Sequence, residues 1–287
     1  MPVRHRGAPS GEHGMKVTII TGASKGIGAE LARQIAQRDG ADAALVLAAR
    51  NADALNALAE ELGPTGARIE VIPTDVTDRA ACKALIEQTV KRLGRIDVLV
   101  NNAGMSAHAN FADLEEADLD WYQTLMTLNF WSGVWLTHAA LPHLTRSGGL
   151  IVAISSVAGL FGVPGRTAYS ASKFAIRGFY EALRAELAGQ GVSVMLVYPG
   201  IVATDIRKRG YALGGGEAGV SMVKEERMMP VDECARRILR GMDRRKRELL
   251  MTRQMRLGRW LQLLLPGLTD RKAMKAVKEE FRPTPRG

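Results

Sequence analysis

The 287-residue sequence is poor in cysteine: Cys82 and Cys234 stand far apart, in neither CxxC nor Cys/His spacing. That excludes a disulfide framework and a structural zinc, and fits a reducing, cytoplasmic setting. No stretch approaches the ~18 consecutive apolar residues of a membrane span. Residues 1–14 carry Arg4, Arg6, Pro9 and Gly11 but no apolar core, so they read as a flexible tail rather than a secretory signal. Met15, directly before the first strand-like run, is a second candidate start. There is no internal repeat, no low-complexity block and no His, Cys or acidic cluster with metal-ligand spacing. Hydrophobic residues make up 46% and charged residues 24%, an ordinary globular composition. A chain this long buries roughly three quarters of its unfolded surface and needs no staple.

The formal charge of +9 is unevenly spread. Residues 1–206 hold 18 Lys+Arg against 20 Asp+Glu, whereas residues 207–287 hold 21 against 10. The basic excess therefore belongs to the C-terminal quarter. Nucleic acid is not expected as the partner, because that segment has no binding motif and no interleaved aromatics.

From Lys16 the pattern alternates strand and helix. Strands are predicted at Lys16–Thr21, Ala44–Ala49, Arg68–Pro73, Asp97–Val100, Gly149–Ser155 and Val192–Tyr198. Helices are predicted from the glycine-rich turn to about Arg38 and over 53–62, 80–93, 119–144 and 168–189. The strands are nearly continuous apolar runs, as expected when helices cover both faces. Alternation with links of about 20–30 residues implies parallel pairing and right-handed crossovers. The fold expected is a single-domain α/β, doubly wound parallel sheet of Rossmann type. The division expected is a tail over 1–14, a nucleotide-binding catalytic domain over 15–252 with an irregular substrate loop at 200–230, and a basic extension over 253–287.

Thr21-Gly22-Ala23-Ser24-Lys25-Gly26-Ile27-Gly28 leaves the first strand and opens the first helix. Glycines allow the tight turn and let backbone approach a pyrophosphate seated on a helix N-terminus. The spacing is G-x-x-x-G-x-G rather than G-x-G-x-x-G, so position between strand and helix carries the reading; a plain structural turn is the competing one. Lys25 lies inside the turn and Arg50 directly follows the second strand, with no acid before Asp53. An acid there takes a ribose 2′-hydroxyl, whereas arginine accommodates a 2′-phosphate. Two cations in these places point to NADP(H).

Tyr169 and Lys173 are four apart at the start of a helix and share one face. Ser156 lies thirteen residues upstream of the tyrosine, at the carboxyl end of the fifth strand, where such sheets place ligands. A phenol with a pKa near 10 is a poor acid or base at neutral pH, and a nearby ammonium lowers that value. Ser156 can hold the substrate oxygen while a hydride moves to or from the cofactor. Ser155 competes for this role, but the thirteen-residue spacing favours Ser156.

Taken together, TGASKGIG, Asp75-Val76, Asn101-Asn102-Ala103-Gly104, Asn129, Ser156, Tyr169-Ser-Ala-Ser-Lys173 and Pro199-Gly200 with Thr204 resemble the short-chain dehydrogenase/reductase superfamily over about Met15 to Asp205. The resemblance implies Tyr169 as general acid/base, Lys173 as its pKa partner and ribose ligand, and Ser156 as the substrate-orienting hydroxyl. It implies that Asn129 holds a relay water, Asp75 contacts adenine, and Asn102 and Ala103 line the cofactor. Ile201 and Thr204 would lie against the carboxamide and phosphates. It further implies a small-molecule carbonyl or alcohol substrate, carbonyl reductase activity, and assembly as a homo-oligomer, dimer or tetramer.

Other features are read plainly. His108 is a polar loop residue, and His138 and His143 are structural. Phe111, Leu160, Phe161, Val163 and Pro164 flank the expected site as a candidate apolar pocket. Met255–Leu265 places Leu257, Trp260, Leu261 and Leu264 on one helical stripe, with Arg259 and Gln262 opposite. Arg244–Arg247 precede it; Arg271, Lys272, Lys275 and Lys278 follow. Two readings stand: peripheral membrane contact through 254–282, or a stripe that caps the chain's own core or a partner subunit. The resemblance supports the first in part, through similar C-terminal extensions in the 11-beta-hydroxysteroid dehydrogenase-like branch, whose substrates are often lipophilic.

Overall fold

Seven short runs of Val, Ile, Leu and Ala lie side by side at the centre of the computed structural model, which describes residues 14–219 and 228–280, the last five by backbone alone. These strands are β1 Lys16–Thr21, β2 Ala43–Ala48, β3 Arg68–Val71, β4 Val98–Asn101, β5 Leu150–Ile154, β6 Ser193–Tyr198 and β7 Glu248–Leu250. All pair in parallel, in the order β3-β2-β1-β4-β5-β6-β7. Every residue of β2 is buried, which fits a sheet covered on both faces.

The helices are α1 Gly26–Asp39, α2 Ala52–Leu62, α3 Arg79–Leu93, α4 Leu119–Met126, α5 Ser132–Ser147, α6 Thr167–Glu186, α7 Val231–Asp243, α8 Arg253–Leu264 and α9 Pro266–Glu280. On one face of the sheet, Leu31 and Ile35 of α1, Leu55 of α2 and Ile238 of α7 pack on Ile20, Leu45 and Val100. On the other, Leu85 of α3, Leu136 of α5 and Ile176 of α6 pack on Ile19, Val46 and Leu99. Each such fully buried side chain contributes about 1.5–3 kcal/mol. Strand order reverses between β1 and β4, and the crevice beyond their carboxyl ends is where such sheets receive ligands.

The predicted single domain, parallel pairing and six strands match these elements within a residue or two at most ends. Three features differ. A seventh strand, β7, extends the edge beside β6, and α7 precedes it. The helix expected over 119–144 is two helices, joined by a π-helical turn at Thr127–Trp131. Of the tail expected over 1–14, all but Gly14 lies outside the described residues, as does 220–227 of the irregular loop.

Candidate active site

The glycine turn forms because β1 must pass into α1 within four residues. Gly22 and Gly26 take φ of +65° and +57°, the left-handed region that glycine tolerates best. A Cβ on Gly28 would collide with the Gly22 carbonyl, so that glycine sets the close fit of turn and helix. Thr21 locks the turn to the end of β4: its Oγ1 accepts from the backbone N–H of Asn102 and Ala103, both at 3.0 Å. Asn102 Nδ2 donates back to the Thr21 carbonyl at 2.8 Å. The first turn of α1 has no side-chain cap and no acidic residue, leaving its amides to an anion.

A cleft of about 1500 Å³ opens at this switch point. Gly22, Ser24, Lys25, Gly26, Ile27, Arg50, Asp75, Val76, Asn102, Ala103, Gly104 and Thr204, all expected to hold a nucleotide, line it. Burial pushes the Lys25 ammonium toward release of its proton, and the charges of Arg209 and then Arg50 add to this, against Asp205 and Glu217. Burial raises the Asp75 carboxyl, but two hydrogen bonds from Thr77 and the Arg50 charge outweigh it and leave the group more acidic than usual. Pro199, Gly200 and Ile201 stand off the cleft wall. The Pro199 carbonyl accepts from Val157 N–H at 3.0 Å and that of Ile201 from Met229 N–H at 2.8 Å.

Ser156, Tyr169 and Lys173 are all buried where β5 and α6 meet. The Ser156 hydroxyl accepts from Ala158 N–H at 3.2 Å, which leaves its hydrogen for another acceptor, and it is hydrogen-bonded to Tyr169. Ser155 instead donates to the Lys173 carbonyl at 3.1 Å and fastens α6. Lys173 Nζ donates to the Ile154 carbonyl at 3.1 Å and lies 5.6 Å from the centre of the Tyr169 ring. Burial lowers its pKa to about 8. The expected lowering of the phenol by Lys173 is not what the surroundings produce. Burial raises the Tyr169 pKa, while the Ser156 bond and the charges of Arg166 and Arg207 oppose the rise. The lysine bonds a main-chain carbonyl, and its charge is not among those that act on the phenol.

Asn129 sits in the π-helical turn, a distortion common at functional sites. Its Oδ1 accepts from Met105 N–H at 2.8 Å, and its Nδ2 donates to the Met105 carbonyl at 3.0 Å and Ser172 Oγ at 2.9 Å. These bonds use both N–H groups of the amide and one of the two acceptor sites of its oxygen. Met105 and Ser172 were not legible as site residues, because nothing in the sequence spacing marks them. Gly104 joins triad and cleft: a Cβ there would stand 3.0 Å from Asn129 Oδ1 and 3.6 Å from Lys173 Nζ.

Around Tyr169 the wall is apolar: Trp121, Ala158 and Val163 share its cluster, and Tyr211 stacks on Trp121 at 5.5 Å. Of the expected pocket residues, Phe111 is exposed, Leu160 belongs to the sheet core and Phe161 packs near Gly258. His108 is more than a surface polar residue: burial, then the charges of Arg166 and Arg207, lower its pKa to about 3, so it is neutral.

The C-terminal stripe does not cap the chain's own core. Leu257 is 71%, Trp260 67% and Leu264 76% exposed. The opposite face turns inward, with Arg259 paired to Glu248 at 2.8 Å and Met255 against Gly200. Among the described residues no helix is long and apolar enough to cross a membrane, and no acidic, His or Cys group could hold a metal.

A parallel sheet with a glycine turn at its switch point and a buried Ser–Tyr–Lys set is the arrangement expected of a nicotinamide-dependent oxidoreductase. Residues 16–212 match the short chain dehydrogenases, and this chain belongs to that family. It is 38% identical over 235 residues to an 11-beta-hydroxysteroid dehydrogenase of Pinus massoniana, covering 79% of this chain and 64% of that protein. It is 35% identical over 261 residues to 11-beta-hydroxysteroid dehydrogenase-like 4A of Arabidopsis thaliana, covering 88% and 82%. Among solved structures, an alcohol dehydrogenase of Thermococcus sibiricus complexed with 5-hydroxy-NADP superposes with a TM-score of 0.69 at 28% identity, over 82% of this chain and 94% of that one. A short chain dehydrogenase/reductase of Burkholderia phymatum in complex with NAD gives 0.76 at 25%, over 90% and 96%.

Proposed function

We propose that the chain is an NADP(H)-dependent oxidoreductase that interconverts a carbonyl and an alcohol on a lipophilic small molecule, with residues 15–252 as its catalytic unit. The observation that carries this reading is the burial of Ser156, Tyr169 and Lys173 together where β5 meets α6, joined through Gly104 to the cleft that Lys25 and Arg50 line. The cofactor, when bound, supplies or accepts the hydride. Lys25 and Arg50 would hold its 2′-phosphate, Asp75 the adenine, and the glycine turn its diphosphate. Ser156 orients the substrate oxygen, and Tyr169 gives it a proton in reduction or takes one in oxidation. Lys173 would hold the ribose, and Asn129 would hold the water that continues the proton relay. The apolar wall of Trp121, Val163 and Tyr211 favours a lipophilic substrate, in keeping with relatives named as hydroxysteroid dehydrogenases.

The test is a panel of ketones, aldehydes and quinones with NADPH, run on the wild type and Tyr169→Phe. The variant should lose turnover by 100-fold or more, since general acid–base catalysis contributes about 10²–10⁴, while its Kd for NADPH stays within about twofold. A Tyr169→Phe protein that keeps most of its activity refutes the assignment. A wild type that binds NADPH but turns over nothing would favour a non-catalytic, cofactor-binding scaffold or redox sensor.

The exposed apolar stripe of α8, flanked by Arg253, Arg256, Arg271, Lys272 and Lys275, supports peripheral contact with an anionic membrane surface through 254–282. The side chains of 276–282 lie outside the described residues. Trp131 and Phe174, exposed on the π-helical turn and α6, are candidate contacts for a homo-oligomer.

A further inference from the structure

Arg209 belongs to none of the motifs, yet it lines the same cleft as the glycine turn, Lys25 and Arg50. Its main chain is held, with N–H donating to the Asp205 carbonyl at 3.1 Å. Its Nε is buried and finds no acceptor among the described residues. Buried donors without a partner are uncommon and costly, and each calls for a reason. Its charge acts on Lys25 more strongly than that of Arg50 does, against Asp205 and Glu217. Among the described residues neither Arg209, Lys25 nor Arg50 forms an ion pair. Three cations on one cleft, one of them bearing an unsatisfied buried donor, form a receptor for a polyanion even with Asp205 and Glu217 acting against them.

Two observations say which part of that polyanion Arg209 meets. Thr204, five residues earlier in the same segment, lies over the glycine turn, its Cγ2 3.3 Å from where a Cβ of Gly26 would stand. Arg50, by contrast, follows β2 and acts on Asp75. The segment that carries Arg209 therefore faces the diphosphate cradle, and Arg50 the adenosine end.

We propose that Arg209 is a further cofactor ligand whose guanidinium takes the diphosphate cradled by the glycine turn, tying segment 200–219 to the bound nucleotide. This rests on the nicotinamide-nucleotide reading of the cleft. A diphosphate is common to NADPH and NADH, so the two cofactors discriminate it from a 2′-phosphate contact.

The experiment measures Kd for NADPH and NADH by calorimetry on the full chain, comparing wild type, Arg209→Ala, Arg209→Lys and Arg50→Ala, with thermal unfolding of each in the absence of nucleotide. Arg209→Ala should weaken both cofactors by a similar factor, about tenfold or more, and Arg209→Lys should recover part of the loss. Arg50→Ala should weaken NADPH selectively. The unliganded Tm of Arg209→Ala should equal or exceed that of the wild type, because the substitution removes an unpaired buried donor. Loss confined to NADPH, no loss, or a fall in unliganded Tm that accounts for weaker binding would overturn the proposal while leaving the cleft a nucleotide site. A wild type that binds neither cofactor would overturn both.

Discussion

Lys173 should make this protein less stable at neutral pH than it needs to be, and the effect has a defined pH window. Burial lowers its pKa from the ordinary 10.5 to about 8, so the folded chain surrenders this proton more readily than the unfolded chain. Between about pH 8 and 10.5 the unfolded state holds the proton and the folded state does not, and stability therefore rises with pH. The limiting slope is about 1.4 kcal/mol per pH unit, which places the full cost of the buried ammonium at about 3 kcal/mol below pH 8. Cys82 and Cys234, raised by burial to about 12, act in the opposite sense once unfolded thiols ionise, so the comparison must be differential. Urea unfolding of the wild type and Lys173→Met, without cofactor, from pH 6.5 to 10 isolates the lysine. The variant loses the bond to the Ile154 carbonyl, a constant penalty of about 1 kcal/mol, which shifts the difference curve without changing its shape. The stability difference, wild type minus variant, should be flat to about pH 7.5 and climb above pH 8 by 1–2 kcal/mol before pH 10. Parallel curves through pH 10 would refute the argument that the buried site holds a costly charge.

Arg50→Ala should raise KM for NADPH by about tenfold to a hundredfold, the value of one or two charge-assisted hydrogen bonds, while KM for NADH changes little; equal changes for both would defeat the 2′-phosphate assignment. Trp260→Ser combined with Leu264→Ser should leave Tm and turnover of a soluble substrate unchanged, since both side chains are exposed, yet abolish co-sedimentation with vesicles containing anionic lipid. Equal pelleting of wild type and variant would defeat the membrane reading, as would a wild type that dimerises through this face and ignores vesicles.

Most of the sheet was legible because buried parallel strands have a simple signature, short apolar runs such as ALVLAA bounded by helical spacing. β7 was not, for physical reasons: its three half-buried residues follow Arg244–Arg247 and acquire strand character from pairing with β6. α7 did leave a signal, Val231, Cys234, Ala235, Ile238 and Met242 at helical spacing, obscured by the irregular loop before it. The motif residues were legible one at a time, whereas their surroundings were not. That Lys173 would lie near the tyrosine ring, that Asn129 would expend its amide on Met105, and that the charge of Arg209 would act on Lys25 all depend on how distant segments are brought together.

The C-terminal helix shows why the same pattern can defeat a sequence argument. Leu257, Trp260, Leu261 and Leu264 make a stripe that satisfies the periodicity of a core-facing helix. Periodicity records only that one face is apolar; which way that face turns depends on whether uncovered core remains to receive it. Here β7 already closes the edge, and Glu248 on β7 offers a carboxylate to Arg259. Close packing at Gly258 against Phe161, and of Met255 against Gly200, fixes the helix by its small and polar face. With that face held, Leu257, Trp260 and Leu264 point outward, while Leu261 is half-buried. Exposure of so much apolar surface is unfavourable in water at about 25 cal/mol per Å², a cost that the proposed contact of this face would relieve. The basic residues flanking the stripe are what favours the proposed lipid contact over a second copy. They would repel the like-charged flanks of a second copy packed on the same face, and they attract an anionic lipid surface.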